Sequence, residues 1–436
     1  MQDQQKTSLV WFQNDLRTHD QISLAKAMAK GNRVIGVYFF IPSQFEISAF
    51  GFKKNEKFRA KFLLETVHQL KQNLAQLNIS LLSFFDTPKK VFPHLVKEYG
   101  VTEVFLQKEW TQEELDRLKK VKDAVAPNVT FTESFNQFLF HPEDIPLSFN
   151  RIPQIFTQFR KICEKKASVR EVCAIPKAMP KKNTIHQHTT IPTLKELGYE
   201  AFNTDARTAF PFQGGENEAL NRLDHYFWES KKLSVYKKTR NGLIGTDYSS
   251  KFSPWLANGS LSPRTVYHKI NQYEKEVVKN DSTYWLIFEL IWRDYFKYIS
   301  LKHGNVIFKQ KGILVKEYEW KTDLKLVNKW INGETSSSFV NANMLEIKNT
   351  GWMSNRGRQN VASYFAKEML LDWRIGAAYF EAMLLDYDVH SNYGNWMYVA
   401  GVGNDPRDRK FNVALQAERY DSQGKFQRLW LQNSLF

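Results

Sequence analysis

Cysteine is nearly absent from the chain: Cys163 and Cys173 are the only two among 436 residues. Two cysteines cannot form a disulfide framework, and no spacing in the sequence is typical of a zinc site. We therefore predict no bound metal and a reducing compartment, the cytoplasm.

Long apolar runs are also missing. The most apolar stretch, TYWLIFELIWRDYF, contains Glu289, Arg293 and Asp294. It therefore falls short of the roughly 18 uninterrupted apolar residues that a membrane span needs. The first residues, MQDQQKTSLVWF, show no cationic start followed by an apolar segment, so we predict no signal peptide and no membrane partner.

The low hydrophobicity of a disordered chain is absent as well. The sequence is 42% hydrophobic and 14% aromatic, enough for a sizeable core, and its length suits two or three domains. The net charge of +15 favours a polyanionic partner, although a generic basic surface explains this charge equally well.

Short β-rich runs alternate with helical stretches in the first third of the chain. The β-rich runs are SLVWF, RVIGVYFF, ISLLSFF, TEVFLQ and VTFTES, and the helical stretches include FRAKFLLETVHQLKQNLAQL and TQEELDRLKKVKDAV. This alternation predicts a doubly wound parallel sheet with ligands at the carboxyl ends of its strands. An ordinary flavin or nicotinamide oxidoreductase is another interpretation, but no G-x-G-x-x-G follows the first strand, so no nicotinamide fingerprint supports it.

A proline-punctuated, polar stretch then separates this part from a mostly helical one. We predict an α/β domain over residues 1–133, a connector over 134–200 with a helix near 152–166, and an all-α domain over 201–436. In the last part, FVNANMLEIKNT, QNVASYFAKEMLL and RIGAAYFEAMLLDY have apolar residues three and four apart, as amphipathic helices do.

The stretch from Asn349 to Asn412 places charged and amide side chains among aromatic, apolar helices. It contains SNRGRQN, DYDVHSNYGNW and AGVGNDPR. Charged groups rarely lie in such helices unless they pair or hold a ligand. The stretch resembles the flavin-binding core of the photolyase/cryptochrome family, most closely that of the DASH cryptochromes. The resemblance extends nearly from end to end and is strongest from Ser249 onward.

The resemblance implies bound FAD. The serines of SSKFS precede an apolar helix and resemble N-caps, which form anion sites, although an ordinary capped helix would look the same. Arg358 and Asp386 match a pair beside the isoalloxazine ring, and Asn392 matches the residue facing flavin N5; from the residues alone, Asn392 is also typical of a turn. The residues expected to bind FAD are Tyr236, Ser249, Ser250, Lys251, Phe252, Ser253, Arg358, Asp386, Asp388 and Asn392.

Glu289, Trp292 and Arg293 share one helical face, because residues three and four apart are neighbours on a helix. Together they could accept from, stack on and clamp a pair of bases, but an amphipathic helix with a Glu–Arg pair has the same spacing. The resemblance implies a pocket for a pyrimidine dimer, with Arg240 and Arg356 as phosphate contacts. The expected substrate-binding residues are Arg240, Glu289, Trp292, Arg293, Asn355, Arg356, Gln359 and Tyr398.

Three tryptophans, Trp320, Trp373 and Trp396, match the family's relay that carries electrons from the surface to a photoexcited flavin. The chain has 12 tryptophans, so these three could equally be core residues on spacing alone. We expect the catalytic residues to be Trp396, Trp373, Trp320, Asn392 and Glu289.

Two further segments bear on cofactors. FGFKKNEKFRAKFLLE and Glu109 resemble the family's antenna site, which implies bound 5,10-methenyltetrahydrofolate. After Trp330 the chain has TSSSFVNANML where the family has T-G-x-P-x-V-D-A-x-M-R. The aspartate has become Asn341 and the arginine Leu345, so we expect neutral contacts in place of an ion pair.

The resemblance implies a deoxyribodipyrimidine photo-lyase. Such an enzyme repairs cyclobutane pyrimidine dimers under blue light, by electron transfer from excited reduced FAD, here in single-stranded DNA and as a monomer. A blue-light photoreceptor with the same cofactor and little or no repair is the alternative. The chain ends at WLQNSLF, without the long tail typical of signalling cryptochromes, which favours repair. A basic nucleic-acid-binding protein without catalysis would leave the acidic pair and the tryptophans without a purpose.

Overall fold

The computed structural model describes residues 6–186 and 189–432. Three pieces of the sequence interpretation therefore extend outside the described residues. They are the MQDQQ start used for the signal-peptide prediction, two residues of the connector, and the last four residues of WLQNSLF.

The first part of the chain forms a parallel sheet of five strands in the order β3-β2-β1-β4-β5. The strands are β1 (Thr7–Trp11), β2 (Arg33–Phe40), β3 (Ser80–Phe85), β4 (Val101–Gln107) and β5 (Thr130–Ser134). The helices between them are α1 (Ile22–Ala29), α2 (Lys57–Gln76), α3 (Pro88–Tyr99) and α4 (Gln112–Val125). The predicted runs and the observed strands agree to within one residue at either end.

Both faces of the sheet are covered. Alternate residues of a strand point to opposite faces, so Val10 packs into one apolar cluster while Leu9 and Trp11 pack into the other. This double burial explains why the strands are continuous apolar runs instead of an alternation of apolar and polar residues.

The connector contains helix α5 (Phe156–Lys166), which begins four residues later than predicted. Pro153 accounts for the difference, because the residue before a proline is pushed out of the helical region, and Ile152 has an extended ψ of 125°. The domain boundaries near 133 and 200 stay predictions.

The described residues from Glu216 onward are mostly helical, which confirms the predicted fold class. The helices are α6 (Glu216–Asp224), α7 (Tyr236–Thr239), α8 (Ser253–Ala257), α9 (Pro263–Glu276), α10 (Asp281–His303), α11 (Leu324–Ile331), α12 (Ser338–Thr350), α13 (Asn355–Ser363), α14 (Trp373–Met383), α15 (Val389–Ala400), α16 (Val413–Tyr420) and α17 (Lys425–Leu431). None of the helices within the described residues is long and apolar enough to cross a bilayer.

The loop after β1 joins the sheet to these helices. Asp20 forms a buried ion pair with Arg264 of α9 at 2.6 Å. Arg17, also buried, donates to the carbonyl of Gly259 at 2.7 Å. Charges buried in this way need partners, so the contacts fix the helices against the carboxyl end of β1.

Candidate cofactor and substrate site

Helices α7, α8, α10 and α13, together with the loop before α15, surround a cavity that we call the central cavity. Most of the residues expected to bind FAD line it, and so do several of those expected to bind substrate. The predicted residues on its wall are Tyr236, Arg240, Ser249, Ser250, Lys251, Phe252, Ser253, Glu289, Arg293, Asn355, Arg358, Asp386 and Asp388. The cavity therefore brings together predicted residues that are up to 152 positions apart, from Tyr236 to Asp388.

The predicted serine caps are wrong. Helix α8 is only five residues long and begins at Ser253, and its N-cap position is Phe252, with no side-chain cap. Arg222 of α6 holds the loop instead: its guanidinium donates to the carbonyls of Ser249 and Ser250 at 3.2 and 3.1 Å. Sequence reasoning missed Arg222, since nothing in the local pattern links it to a loop 27 residues later.

Lys251 is the most unusual group on the wall. It has a left-handed φ of 65°, is 2% exposed, and its Nζ has no hydrogen-bond partner. The ammonium lies over the Tyr248 ring, 3.3 Å from the centroid, and 4.6 Å from that of Trp352. Burial lowers the pKa of Lys251 well below its usual value. A buried amine without a partner calls for an anionic ligand.

Glu346 of α12 is buried near this lysine. Burial raises the pKa of Glu346 to about 8, against the opposing charges of Lys251 and Arg358. Its Oε2 also lacks a hydrogen-bond partner. An unpartnered cation and carboxyl oxygen beside aromatic walls fit a ligand that combines a flat ring with an anionic part, as FAD does.

Arg358 and Asp386 form the predicted ion pair at 2.9 Å, with Asp386 only 4% exposed. The Arg358 Nε also donates to the Met353 carbonyl at 2.9 Å, which orients the guanidinium along the cavity wall. The pair brings one charge of each sign to the cavity, which suits a ligand whose own charge changes.

Asp388 pairs with Lys297 of α10 at 2.6 Å and caps α15 by accepting from the Ser391 N–H at 2.8 Å. Burial alone would raise the pKa of Asp388, but Lys297, together with neighbouring cations, outweighs it and holds that pKa well below the usual range. Lys297 was missed, although Glu289, Arg293 and Lys297 are spaced four apart and so share one helical face.

Glu289, Trp292 and Arg293, predicted together for the dimer pocket, make separate contacts in the structure. Glu289 pairs with Arg240 at 2.8 Å, so the alternative of a Glu289–Arg293 pair within the helix is wrong. Arg293 instead donates to the carbonyls of Gln137 and Leu256. Burial raises the pKa of Glu289, with Arg240 opposing it. Arg240, predicted as a phosphate contact, is thus already engaged by a carboxylate.

Trp292 is half-buried and is not on the central cavity wall. Its ring stacks on Phe156 with centroids 3.7 Å apart, and Tyr398 meets it edge-on at 6.1 Å. Trp292 and Tyr398, 106 positions apart in the sequence, are therefore neighbours, as expected for two residues of one pocket.

Arg356 lies at the rim with Gln359, to which it donates at 2.9 Å, while Asn355 is exposed. Arg356 also donates to Asn241 at 3.2 Å and stacks on Tyr420 at 4.5 Å. Asn241 and Tyr420 were missed, because both contacts are long-range.

Asn392 lies inside α15, so the turn interpretation is wrong. It is buried and donates to the Ala377 carbonyl of α14 at 3.0 Å. Gly394 is needed for close packing of the two helices, because a Cβ at this position would lie 2.2 Å from the Phe296 ring of α10. Glycine thus lets α15 approach α10 closely.

The three relay tryptophans share one apolar cluster, with Trp373 and Trp396 buried and Trp320 half-buried against it. Trp396 packs directly over Gly376 of α14, where an added Cβ would lie 2.2 Å from the indole. The Trp320 segment joins the residues just before α14 through a bridge between Lys321 and Leu371. Trp320 is thus the most exposed of the three indoles, and their role in electron transfer stays a prediction.

Glu109 lines a second cavity between the sheet and the helices, which we call the lateral cavity. It accepts from the Gln107 amide at 2.7 Å, and burial raises the pKa of Glu109 to about 7. Part of the FGFKKN segment lies on the same wall, as the antenna prediction requires. Arg293 and Asp388 line both cavities and so separate them.

The divergent segment after Trp330 makes neutral contacts, as expected. The Asn341 side chain accepts from the Thr335 N–H at 2.9 Å and its hydroxyl at 2.6 Å, and donates to the Thr335 carbonyl at 2.9 Å. Leu345 packs against a small apolar cluster that includes Phe426 and Trp430.

Family models match both parts of the chain. One described as "DNA photolyase" matches residues 8–181, and one described as "FAD binding domain of DNA photolyase" matches residues 285–434. The second match supports FAD as the cofactor of the helical part.

Individual relatives are similar over nearly the whole length. The cryptochrome DASH of Gloeobacter violaceus is 46% identical over 98% of this chain and 85% of its own. The cryptochrome DASH of Xenopus laevis is 45% identical over 96% of this chain and 81% of its own length. The Synechocystis sp. PCC6803 cryptochrome structure superposes with a TM-score of 0.95 at 44% identity, over 99% of this chain and 89% of that one. A class III photolyase from Agrobacterium tumefaciens shares the fold, with a TM-score of 0.84 at 24% identity over 98% and 86%. The chain therefore belongs to the photolyase/cryptochrome family, and within it to the DASH cryptochromes.

Proposed function

We propose that the protein is a deoxyribodipyrimidine photo-lyase that splits cyclobutane pyrimidine dimers under blue light, preferably in single-stranded DNA. One observation carries this: Glu289 of α10 lies on the same cavity wall as Arg358 and Asp386. A base that reaches this carboxyl is then close to the ligand held by the ion pair, as electron transfer requires.

The chain's own residues supply binding, orientation and charge. When bound, reduced FAD supplies an electron after absorbing blue light. Lys251 offers its unpartnered ammonium to the diphosphate. Arg358 and Asp386 offer opposite charges to the ring, 2.9 Å apart. Glu289, which pairs with Arg240 as a carboxylate at 2.8 Å, can accept a hydrogen bond from a base N–H.

The preference for single strands follows from a limited grip on phosphate. Extruding a dimer from a duplex costs a few kcal/mol of stacking and pairing, and least from a single strand. Arg240 is engaged by Glu289, and Arg356 by Asn241 and Tyr420. The two arginines expected to contact phosphate therefore already have partners, which limits their grip on a DNA backbone.

A 5,10-methenyltetrahydrofolate antenna in the lateral cavity, held by Glu109, completes the proposal. A carboxyl with a pKa of about 7 can both donate to and accept from a pterin edge at neutral pH. A near-ultraviolet pterin band in the absorption spectrum of the purified protein tests this assignment. We further propose that the protein is a monomer in the cytoplasm, with domains over residues 1–133 and 201–436 joined by a connector over 134–200. Small-angle scattering tests the monomer, and limited proteolysis tests the domain boundaries.

Trp292 provides the test of the substrate pocket. Trp292→Ala should weaken binding of a dimer-containing single strand by about 1–3 kcal/mol, because stacking on the indole is lost. The measurement is the rate of dimer splitting under blue light at limiting oligonucleotide, with the flavin fully reduced. Trp228→Ala is the matched control, since Trp228 is also half-buried but pairs with Glu276 away from the cavity. Equal losses of rate in both variants would show that Trp292 does not stack on the substrate.

A blue-light photoreceptor is the second candidate, because a cluster that holds two buried tryptophans and the half-buried Trp320 would serve light-driven flavin reduction in either function. The two candidates differ in the fate of the dimer: a photoreceptor would respond to light but leave the dimer intact.

A further inference from the structure

A tyrosine lies against the outermost tryptophan of the relay. The rings of Tyr318 and Trp320 stack with centroids 4.9 Å apart and planes inclined by 25°. Both are half-buried, so the pair spans the boundary between the apolar cluster and solvent. Two stacked rings at this distance are well placed for electron exchange.

The tyrosine hydroxyl has a base beside it. Its O–H donates to Asp408 Oδ2 at 2.6 Å. Burial would raise the pKa of Asp408, but hydrogen bonds from Lys367 and Tyr318 outweigh it and lower that pKa, so the acceptor is a carboxylate. Burial raises the pKa of Tyr318, which keeps the phenol protonated at rest.

Gly401 lets these groups converge. It has a left-handed φ of 84°, and a Cβ there would lie 2.0 Å from Asp408 Oδ1 and 2.7 Å from the Tyr318 hydroxyl. Lys367 completes the cluster by pairing with Asp408 and lying 4.3 Å from the Tyr318 ring centroid. We call Tyr318, Asp408 and Lys367 the tyrosine cluster.

Trp320, by contrast, has no such base on its ring nitrogen. Its Nε1–H donates to the Ala366 carbonyl at 3.0 Å. A neutral amide carbonyl is far too weak a base to take this proton. An oxidised Trp320 would therefore keep its N–H and its positive charge, and so remain a strong oxidant.

We propose that Tyr318 is the terminal electron donor of the relay, with Asp408 as the proton acceptor; this rests on the relay of the proposed function. Photo-oxidised Trp320, a radical cation, takes one electron from the Tyr318 phenol. The phenol proton passes to the Asp408 carboxylate in the same step. Trp320 returns to its neutral N–H form, Tyr318 becomes a neutral phenoxyl radical, and Asp408 becomes a carboxylic acid. The electron that first left Trp320 resides on the light-activated flavin.

Proton transfer decides where the oxidation stops. The Lys367 ammonium close to the ring disfavours a cation on Tyr318, but it does not disfavour a neutral radical. Moving the electron together with the proton therefore avoids placing a charge on the ring. Lys367 acts as a positioning residue that holds Asp408 ionised and in place.

The test uses the FAD-loaded protein after a blue flash, followed by transient absorption and electron paramagnetic resonance. In the wild type, a tryptophan radical should form first and convert to a tyrosyl radical, more slowly in deuterium oxide. Tyr318→Phe keeps the stacked ring but lacks the hydroxyl, so the tyrosyl signal should be lost and the tryptophan radical should persist. Asp408→Asn should also lose the conversion, although the phenol remains.

Tyr364→Phe is the matched control, because Tyr364 is half-buried in the same region but bonds to Ser336. It should leave both signals unchanged. A wild type that shows a tryptophan radical and no tyrosyl radical overturns the proposal and leaves the relay standing, as does a Tyr318→Phe variant that keeps the tyrosyl signal. A wild type with no tryptophan radical at all overturns the relay as well.

Discussion

At the scale of single residues, the site depends on charges whose partners lie far away in sequence. The Arg358–Asp386 pair was predictable, because the motifs around both residues match the family. Lys251 was predictable as a wall residue, but its missing hydrogen-bond partner was not, since that depends on how Tyr248 and Trp352 enclose it. Glu346 was missed, because its burial depends on the packing of α12.

Asp386→Ala should strongly reduce the flavin content of the purified protein. Removing the carboxylate leaves Arg358 unpaired on the wall, and breaking a buried pair typically costs about 3–5 kcal/mol. Flavin content is measured by absorption per folded protein. Asp372→Ala is the control, because Asp372 is 2% exposed and pairs with Arg374 at 2.6 Å, away from both cavities. A folded Asp386→Ala protein with full flavin would contradict the assignment.

Glu346→Gln should change how stability depends on pH. Between 4.5 and about 8, the unfolded state has released the Glu346 proton while the folded state still holds it. The folded state therefore binds more protons, and stability falls as pH rises, by at most about 1.4 kcal/mol per pH unit. The glutamine variant lacks this contribution, and its difference from the wild type reports Glu346 together with the effect of the Glu346 charge on the pKa of Lys251.

Urea unfolding of the flavin-free protein across this pH window gives the measurement. The wild type should lose stability relative to Glu346→Gln as pH rises, whereas Glu334→Gln, at an exposed position, should follow the wild type. Parallel curves for all three proteins would show that Glu346 does not keep its proton on folding.

At the scale of elements, strands were easier to predict than helix ends. The apolar strand runs are delimited by polar residues and turns, so their bounds follow from the sequence. Helix ends depend on special contacts: Pro153 delays α5, and α8 begins without the expected serine cap because Arg222 holds its loop. Asn392 was open to a turn interpretation because Gly394 follows it, and only the packing of α15 on α10 shows why a glycine belongs inside a helix.

The contact between α14 and α15 carries a prediction about the relay. Trp396→Phe should block light-driven reduction of oxidised flavin while flavin stays bound, because phenylalanine keeps most of the packing but is much harder to oxidise. Trp330→Phe is the control: Trp330 is also fully buried, 6.3 Å from Trp396, but is not part of the relay. The measurement is the loss of oxidised-flavin absorbance under blue light with an external reductant. A wild-type rate in Trp396→Phe would exclude Trp396 as the proximal donor.

At the scale of the whole molecule, the sequence predicted the two architectures but not how they meet. The contacts of Asp20 with Arg264 and of Arg17 with Gly259 link segments more than 240 residues apart, and no local pattern shows them. The two cavities share Arg293 and Asp388 as a wall. The proposed antenna and flavin sites are thus neighbours, an arrangement that single motifs could not reveal.

The basic surface belongs to this scale too. With a net charge of +15, binding to DNA should weaken with salt, because phosphate contacts release counterions. This dependence alone does not distinguish a lyase from a photoreceptor, since either could bind DNA. Only the fate of the dimer separates them.

The most direct measurement is dimer splitting by the protein with fully reduced FAD, under blue light and in the dark. We predict that light restores thymine absorbance in dimer-containing single-stranded oligonucleotides, faster than in the matching duplex, and that the dark sample stays unchanged. No restored thymine under blue light, with full flavin reduction confirmed by its spectrum, would contradict the lyase and leave the photoreceptor.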